Sequence, residues 1–263
     1  MTWFSRTPGA IAALFAVTIL VACVDGTTEH RVRANAFFRG GQYAEALKEC
    51  DLGLVAKPDD VGTRVLRAKA LFELNRFAEA KADYARAVSL GEGTRGTYVG
   101  DAYLGLAILA SRAKDWPEAQ REFDKLLVLD PTDVGTHTNL ARVCLEQGDL
   151  AAAEEHAKAA VALRDQDEAA LFVLGKVMLA EGKLDEATAT FARIAASNGR
   201  ASSAPYGTAM VLARRGDKAG ALAKLQEATA LKVPNPQEIA DDPAFASMKD
   251  DPAFSRIVTL ASK

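Results

Sequence analysis

Residues 77–90 read FAEAKADYARAVSL, and the second alanine of FAEA, Ala80, belongs to a series. Similar four-residue segments, YAEA, FAEA, WPEA, LAAA, LDEA and KAGA, end at the alanines of this series: Ala46, Ala80, Ala119, Ala153, Ala187 and Ala221. The intervals between successive members are 34, 39, 34, 34 and 34 residues. A fixed period of this length predicts a tandem array of similar structural units.

A second series of small residues keeps the same register. Twelve residues before each alanine stands another small side chain: Ala34, Ala68, Ala107, Ala141, Gly175 and Ala209. Small residues allow two helices to approach closely, and larger neighbours fill the space beside them. The pattern therefore predicts two closely packed helices per unit. It also predicts that Cys50 and Cys144, which fall on packing positions, are small buried apolar residues.

The 34-residue period and the two series of small residues resemble the tetratricopeptide repeat, a pair of antiparallel helices. The resemblance covers residues 27–235 as six units, whose expected bounds are 27–60, 61–94, 100–133, 134–167, 168–201 and 202–235, with an insertion at 95–99. It implies an all-α fold, a right-handed superhelical α-solenoid in which neighbouring units bury each other's apolar faces. Such a fold does not by itself specify a function.

Residues 236–263 follow the last unit and contain the pentapeptide DDPAF twice, at residues 241–245 and 250–254. In each copy the second aspartate, Asp242 or Asp251, precedes a proline, the sequence expected at an N-cap followed by the first helical residue. The segment therefore predicts a capping helix pair. Its apolar residues are expected to cover the last unit: Phe245, Met248, Phe254, Ile257 and Leu260.

The N-terminus has the features of a targeting segment. Arg6 precedes an uncharged apolar run of 14 residues, Gly9 to Ala22, which is shorter than the roughly 20 residues of a spanning helix. Its last residues, Leu20 to Cys23, resemble the lipobox of bacterial lipoproteins. The resemblance implies a signal peptide at 1–22, a lipidated Cys23, and a short tether at 23–26 that ends before an N-cap at Thr27 or Thr28. The alternative is an ordinary secretory signal that contains a cysteine.

The same resemblance places the protein in the bacterial cell envelope. Lipoproteins kept in the inner membrane often carry Asp directly after the lipidated cysteine, whereas this chain has Val24 there. We therefore expect the periplasmic face of the outer membrane rather than the inner membrane.

The stretch GEGTRG, residues 91–96, matches a pattern of nucleotide-binding turns, but such a turn follows a strand. Here a predicted helix precedes it, so Gly91 is expected to be a helix C-cap, and no cofactor is predicted. No motif of a hydrolase, metalloprotease or ATPase occurs, and the histidines and cysteines lack metal-ligand spacing. The net charge of −3 argues against a nucleic-acid partner. We predict neither an enzyme nor a small-molecule substrate.

In tetratricopeptide arrays the first helix of each unit lines a concave groove. This implies a partner-binding groove formed by Arg31, Asn35, Phe38, Arg39, Lys69, Phe72, Leu104, Ile108, Arg112, Arg142, Leu145, Phe172, Lys176, Tyr206, Met210 and Arg214. With the neighbouring groove positions, seven residues are basic and three acidic, and four exposed aromatics are expected among them. Arginine and aromatic side chains are frequent interface anchors. The groove is therefore predicted to bind an acidic or C-terminal peptide.

The residues of the groove leave an alternative to peptide binding open. Arg31 and Asn35 match the first two positions of the clamp with which some tetratricopeptide domains hold a terminal carboxylate, but Leu66 replaces the next asparagine. The alternative is that the groove charges are simply solvated and partners use the convex face or helix edges. The predicted function is a membrane-anchored interaction scaffold for assembly of an envelope complex, similar in plan to pilotins. The alternative function is a regulatory scaffold that recruits a peptidoglycan hydrolase or protease.

Overall fold

The structure is a computed structural model that describes residues 26–91, 96–232 and 236–261, and every regular element in these ranges is helical. The signal peptide and Cys23 lie outside the described residues. None of the described helices combines the length and the apolar character needed to cross a membrane. The chain divides after Ala113 into two compact units, which we call the first unit and the second unit.

The first unit contains five helices: α1 (Gly26–Arg39), α2 (Tyr43–Ala56), α3 (Val61–Glu73), α4 (Phe77–Gly91) and α5 (Thr97–Arg112). The second unit contains α6 (Trp116–Leu129), α7 (Val134–Gln147), α8 (Leu150–Leu163), α9 (Glu168–Ala180), α10 (Leu184–Ser197), α11 (Ser203–Arg214), α12 (Lys218–Ala230), α13 (Pro236–Asp241), a 3₁₀ helix (Pro243–Met248) and α14 (Pro252–Ala261). Within each unit, the two helices of a repeat pack together, such as α1 with α2 and α7 with α8. The predicted all-α fold of tandem helix pairs is confirmed.

Aspartate caps and tight turns set the ends of these helices. Asp60, Asp133 and Asp167 precede α3, α7 and α9, and each carboxylate accepts a hydrogen bond from a backbone N–H in the first turn. The two helices of a pair are joined by a turn with one residue of positive φ. That residue is a glycine in four of these turns, while Asn75 (φ 59°) and Lys114 (φ 58°) occupy it in the others.

The two series of small residues lie at the centre of the helix pairs within each unit. All six alanines that ended the quoted segments are fully buried, and so are their partners twelve residues earlier. Cys50 and Cys144 are free and buried, as predicted. In the second unit, the ring of Phe191 lies directly against the backbone of Gly175 and Gly207, where a β-carbon would come within 2.4 Å and 2.3 Å of the ring. Glycine at both positions therefore allows Phe191 to fill the space between helices.

The beginning of α1 differs from the prediction. The helix includes Gly26, so the expected N-cap at Thr27 or Thr28 is wrong, and the last residue of the expected tether is helical. Thr27 is buried, and its hydroxyl donates to the carbonyl oxygen of Gly53 on α2 at 3.4 Å. This contact with α2 places Thr27 inside the helix pair rather than in the entering chain.

The insertion between the second and third repeats is partly absorbed into helix α5. Residues 92–95 are not described, but Thr97 already belongs to α5, although 95–99 was expected to be insertion. Gly91 is not a C-cap: it is the last residue of α4, is buried, and has no positive φ. Helix α5 begins ten residues before Ala107, whereas α3 begins seven residues before the equivalent Ala68. Burial of Val99 favours the additional turn.

The C-terminal segment covers the second unit with three helical elements rather than the predicted two. Asp242 and Asp251 accept hydrogen bonds from the backbone N–H groups of Ala244 and Ala253, at 2.9 and 2.8 Å, so both predicted caps are confirmed. The apolar residues predicted to pack do so, except that Leu260 is exposed. The unpredicted helix α13 adds the fully buried Ile239 to the same core.

Candidate functional site

The first unit contains a polar cavity of about 320 Å³ between the first helices of three successive repeats. Its lining residues come from α1, α3 and α5: Arg31, Asn35, Phe38, Arg39, Gly62, Val65, Leu66, Lys69, Tyr98 and Asp101. Five of these residues were predicted groove residues, namely Arg31, Asn35, Phe38, Arg39 and Lys69. The repeat register places them on one side of their helices, and the structure brings them together around this polar cavity.

An apolar cavity of about 240 Å³ adjoins the polar cavity and shares Phe38, Lys69 and Asp101 with it. The rest of its lining consists of Phe72, Glu73, Tyr84, Leu104, Gly105 and Ile108. The predicted residues Phe72, Leu104 and Ile108 thus belong to this second space. Arg112 was predicted beside them, but its guanidinium carbon lies 4.4 Å from the centre of the Phe77 ring on α4. Arg112 therefore stacks on an aromatic side chain within the fold.

Ion pairs within the first unit reduce the positive charge predicted for the groove. Arg31 donates to the Asp60 carboxylate at 2.9 Å, and Lys69 donates to Asp101 at 2.8 Å. Arg39 is exposed and, within the described part of the chain, makes no ion pair. The cavity therefore offers one uncompensated guanidinium and two cations whose positions are fixed by neighbouring carboxylates.

The carboxylate of Asp60 is held in its ionised form. Partial burial opposes ionisation, but hydrogen bonds from the hydroxyl and backbone N–H of Thr63 and the charge of Arg31 outweigh it, so the pKa of Asp60 is lowered. Asp60 was not counted among the groove residues, although its position directly before α3 could have suggested an N-cap near the groove. An ionised Asp60 fixes Arg31 at the edge of the polar cavity.

Tyr98 is a residue of the cavity that sequence reasoning missed. It lies in the first turn of α5, is 45% exposed, and has the guanidinium carbon of Arg31 5.9 Å from its ring centre. The ring crosses Gly62 so closely that a β-carbon there would lie 2.9 Å from Cζ of Tyr98. The interval of 39 rather than 34 residues marked this segment as unusual, but it did not show that Tyr98 would reach the cavity.

In the second unit, predicted groove residues line a third cavity, of about 230 Å³. Leu145, Lys176, Met210 and Arg214 contribute to it, together with Glu146, Leu179, Ala180, Asp242, Pro243 and Ala244. Asp242 to Ala244 belong to the C-terminal segment, so the chain itself fills part of this side. Met210 is almost fully buried, which leaves little of its side chain available to a partner.

The predicted exposure of Tyr206 is wrong. Only 7% of this residue is exposed, and its hydroxyl donates to the Asp242 carboxylate at 3.2 Å. Lys176, another predicted groove cation, lies 3.8 Å from the same carboxylate. Phe172 is half-buried, with ring centres 5.8 Å from Phe191 and 6.0 Å from Tyr206. Arg142 is exposed on α7.

The lining residues supply hydrogen-bond donors and apolar walls rather than a metal centre. Among the described residues, no group of three or more histidine, cysteine, aspartate or glutamate side chains is placed to hold a metal ion. Tandem helix pairs with cavities along their first helices define a helical-repeat scaffold for proteins or peptides.

Sequence profiles described as tetratricopeptide repeat match residues 65–134, 104–168 and 144–210, which together span more than half of the chain. The chain belongs to the tetratricopeptide-repeat family. Proteins of this family are in general non-enzymatic scaffolds that bind protein or peptide partners.

Two solved structures and one protein sequence illustrate the relationship. PilW, described as a widely conserved type IV pilus biogenesis factor, has a TM-score of 0.66 and 19% identity, over 78% of this chain and 92% of that chain. YrrB, described as having an unusual peptide-binding site, has a TM-score of 0.54 and 23% identity, over 70% and 92%. RNA polymerase II-associated protein 3 of Xenopus tropicalis is 31% identical over 111 residues, 42% of this chain but only 16% of that protein. These likenesses show a shared fold.

Proposed function

We propose that the protein is a lipid-anchored adaptor of the bacterial envelope that binds an acidic or C-terminal segment of a partner in the polar cavity of the first unit. The observation that carries the proposal is the convergence of Arg31, Asn35, Arg39 and Lys69 on one cavity. Guanidinium and ammonium groups form strong, charge-assisted hydrogen bonds with carboxylates. In the second unit, the corresponding cation Lys176 already faces the chain's own Asp242.

Site-specific crosslinking in cells tests this proposal. A photoreactive amino acid at the exposed position of Asn35 should capture a partner, whereas the same group at the exposed Lys81 of α4, which does not line the cavity, should not. Arg39→Glu should weaken the capture from position 35 at least tenfold. Equal capture from both positions would reject the cavity as the binding site. Mass spectrometry of the captured protein would also reveal a peptidoglycan hydrolase or protease, the partners expected of the regulatory alternative.

The lipid anchor is proposed from the sequence of the N-terminus, Leu20 to Cys23. Two or three acyl chains hold a protein firmly at a membrane, whereas one holds it only marginally. Radioactive palmitate should label the wild-type protein and should not label Cys23→Ser. Gradient fractionation should then place the labelled protein with the outer membrane. Persistence of the label in Cys23→Ser would exclude this anchor.

A role in assembling a pilus-related complex is favoured by the similarity of fold to the pilus biogenesis factor PilW. In a strain that lacks this protein, secretin multimers should be reduced and monomers should accumulate on denaturing gels. The wild-type gene should restore the multimers, and the Arg39→Glu gene should not. Unchanged multimers in the deletion strain would reject the pilotin-like role but would leave the adaptor role open to the crosslinking test.

A further inference from the structure

The polar and apolar cavities of the first unit adjoin and share part of their lining, which we call the shared wall. The ring of Phe38 and the ion pair between Lys69 and Asp101 line both spaces. Phe38 is also fixed from α2, where the ring of Tyr43 stands edge-on at a centre distance of 5.3 Å. A ligand that enters one cavity therefore lies directly beside the other, across a wall that is held in place.

The apolar cavity offers side-chain surface that the fold does not use. Ile108 is 41% exposed, and Phe72 is half-buried with its ring edge-on to Phe77 at 5.4 Å. The base of the cavity is close-packed, because a β-carbon on Gly105 would lie 2.4 Å from the ring of Tyr84. Covering such apolar surface favours binding. The cavity therefore suits an apolar side chain of a partner.

The polar cavity offers an exposed guanidinium and a fixed aromatic ring. Arg39 is exposed and lies on α1 one residue after Phe38, the shared wall. At the other side, Tyr98 crosses Gly62 and is held against Arg31, which Asp60 fixes in turn. An acidic side chain in this space would meet the guanidinium of Arg39.

We propose that the first unit recognises a partner segment in which an apolar and an acidic side chain are separated by one residue. This inference rests on the proposed function and adds the chemistry of the recognised segment. In an extended peptide, side chains i and i+2 point to the same side and lie about 7 Å apart. That spacing suits two adjoining cavities that share Phe38, Lys69 and Asp101 as a wall. The apolar residue enters the cavity beside Ile108, and the acidic residue faces Arg39.

Fluorescence anisotropy on the full chain in detergent tests the spacing. The probes are labelled extended peptides of glycine and serine that carry one leucine and one aspartate with zero, one or three residues between them. We expect the spacing of one to bind at least fivefold more tightly than the other two. Replacing leucine by alanine or aspartate by asparagine should each remove most of this advantage. Equal affinities for all three spacings would overturn the inference.

Two cavity variants assign each side chain to its cavity. Arg39→Gln should bind the aspartate and asparagine peptides equally while still distinguishing leucine from alanine. Ile108→Ser should do the reverse. The matched controls are Lys81→Gln and Val55→Ser, which alter an exposed cation of α4 and an exposed valine of α2 away from both cavities. A control that changes affinity as much as a cavity variant would contradict the assignment.

The crosslinking from position 35 separates failure of this inference from failure of the proposed function. If a partner is captured there but peptide spacing has no effect, the cavity binds a partner of different chemistry and only the inference fails. If position 35 captures no partner, the adaptor function proposed for this cavity fails, whatever the peptides show.

Discussion

The Nδ1 atoms of His137 and His156, on helices α7 and α8, lie 3.2 Å apart. The Nε2 atom of His137 is also 3.1 Å from the carbonyl oxygen of Pro131. Since a carbonyl oxygen only accepts, Nε2 of His137 carries a hydrogen, and its Nδ1 is an acceptor when the ring is neutral. His156 must then donate from its own Nδ1. A hydrogen bond between the two rings therefore needs an Nδ1 without a hydrogen on one of them.

The histidine pair occupies a position where other repeats pair a basic residue with an acidic one. His30 and Glu49 approach to 2.7 Å in the first repeat, and Arg64 and Asp83 approach to 3.2 Å in the second. In all three pairs the partners are 19 residues apart, so they join the same points of the two helices. The two histidines therefore replace a complementary pair by one whose hydrogen bond depends on pH.

Stability of the second unit is expected to fall at mildly acidic pH. Burial lowers the pKa of His156, and a positive charge on His137 lowers it further. A histidine whose pKa is lower in the folded state binds fewer protons there than in the unfolded chain. The contribution of neutral His156 to the free energy of unfolding is therefore complete above about pH 6.5 and is lost as the pH falls below that value. Urea unfolding at several pH values should show a lower midpoint at pH 5.5 than at pH 7.5.

Two variants isolate the contribution of this pair. His156→Asn removes the titrating ring and should reduce the loss of stability between pH 7.5 and pH 5.5. His30→Asn leaves His137 and His156 in place, so the loss of stability that they cause between pH 7.5 and pH 5.5 should remain. Asp124 has the opposite influence on stability. Burial raises the pKa of its carboxyl, so the free-energy cost of its buried charge is removed as the pH falls, in a range below that of histidine. An unchanged pH dependence in His156→Asn would contradict the assignment to His156.

The sequence was sufficient for the fold because the small residues repeat at every crossing of two helices. Ala80 and Ala68 had to be small for the helices to meet, and this local requirement is visible as spacing. The errors came from contacts between segments that no period relates. Tyr206 is covered because Asp242 reaches it from the C-terminal segment. Tyr98 reaches the cavity because the insertion extends α5, and spacing alone did not fix the direction of that added turn.

Gly207→Ala is expected to destabilise the second unit by about 1–3 kcal/mol, the usual cost of overpacking a core. The added methyl group would lie 2.3 Å from Cδ1 of Phe191, which is fully buried and cannot move away without displacing its neighbours. Gly135→Ala is the matched control, since an added methyl group near the start of α7 meets only the Asp133 carboxylate, at 3.5 Å. Thermal unfolding of both variants measures the difference. Equal midpoints would show that Phe191 adjusts without cost.

Asp83→Ala is expected to destabilise the first unit by about 1–3 kcal/mol, because it takes a nearly buried acceptor away from two partly buried cations, although Arg67 keeps Asp51 as a partner. The nearly buried Asp83 carboxylate accepts from Nε of Arg67 at 2.6 Å and from Arg64 at 3.2 Å. Asp59→Ala removes a comparable but exposed partner, that of Arg86, and should cost less than about 1 kcal/mol. Urea unfolding provides the comparison. A similar loss of unfolding free energy in both variants would show that the buried ion pairs of Asp83 contribute no more than the exposed pair of Asp59.

The two copies of DDPAF allow one aspartate to serve as the control for the other. Asp242→Ala should destabilise the second unit by about 2–4 kcal/mol, because it removes both a helix cap and the carboxylate that accepts from the buried hydroxyl of Tyr206. Asp251→Ala removes only the cap on Ala253 and should cost about 1 kcal/mol. Asp242→Asn retains an acceptor oxygen and should fall between them. If both alanine variants lose the same stability, the contact between Asp242 and Tyr206 contributes nothing beyond capping, and the C-terminal segment is held by its apolar residues alone.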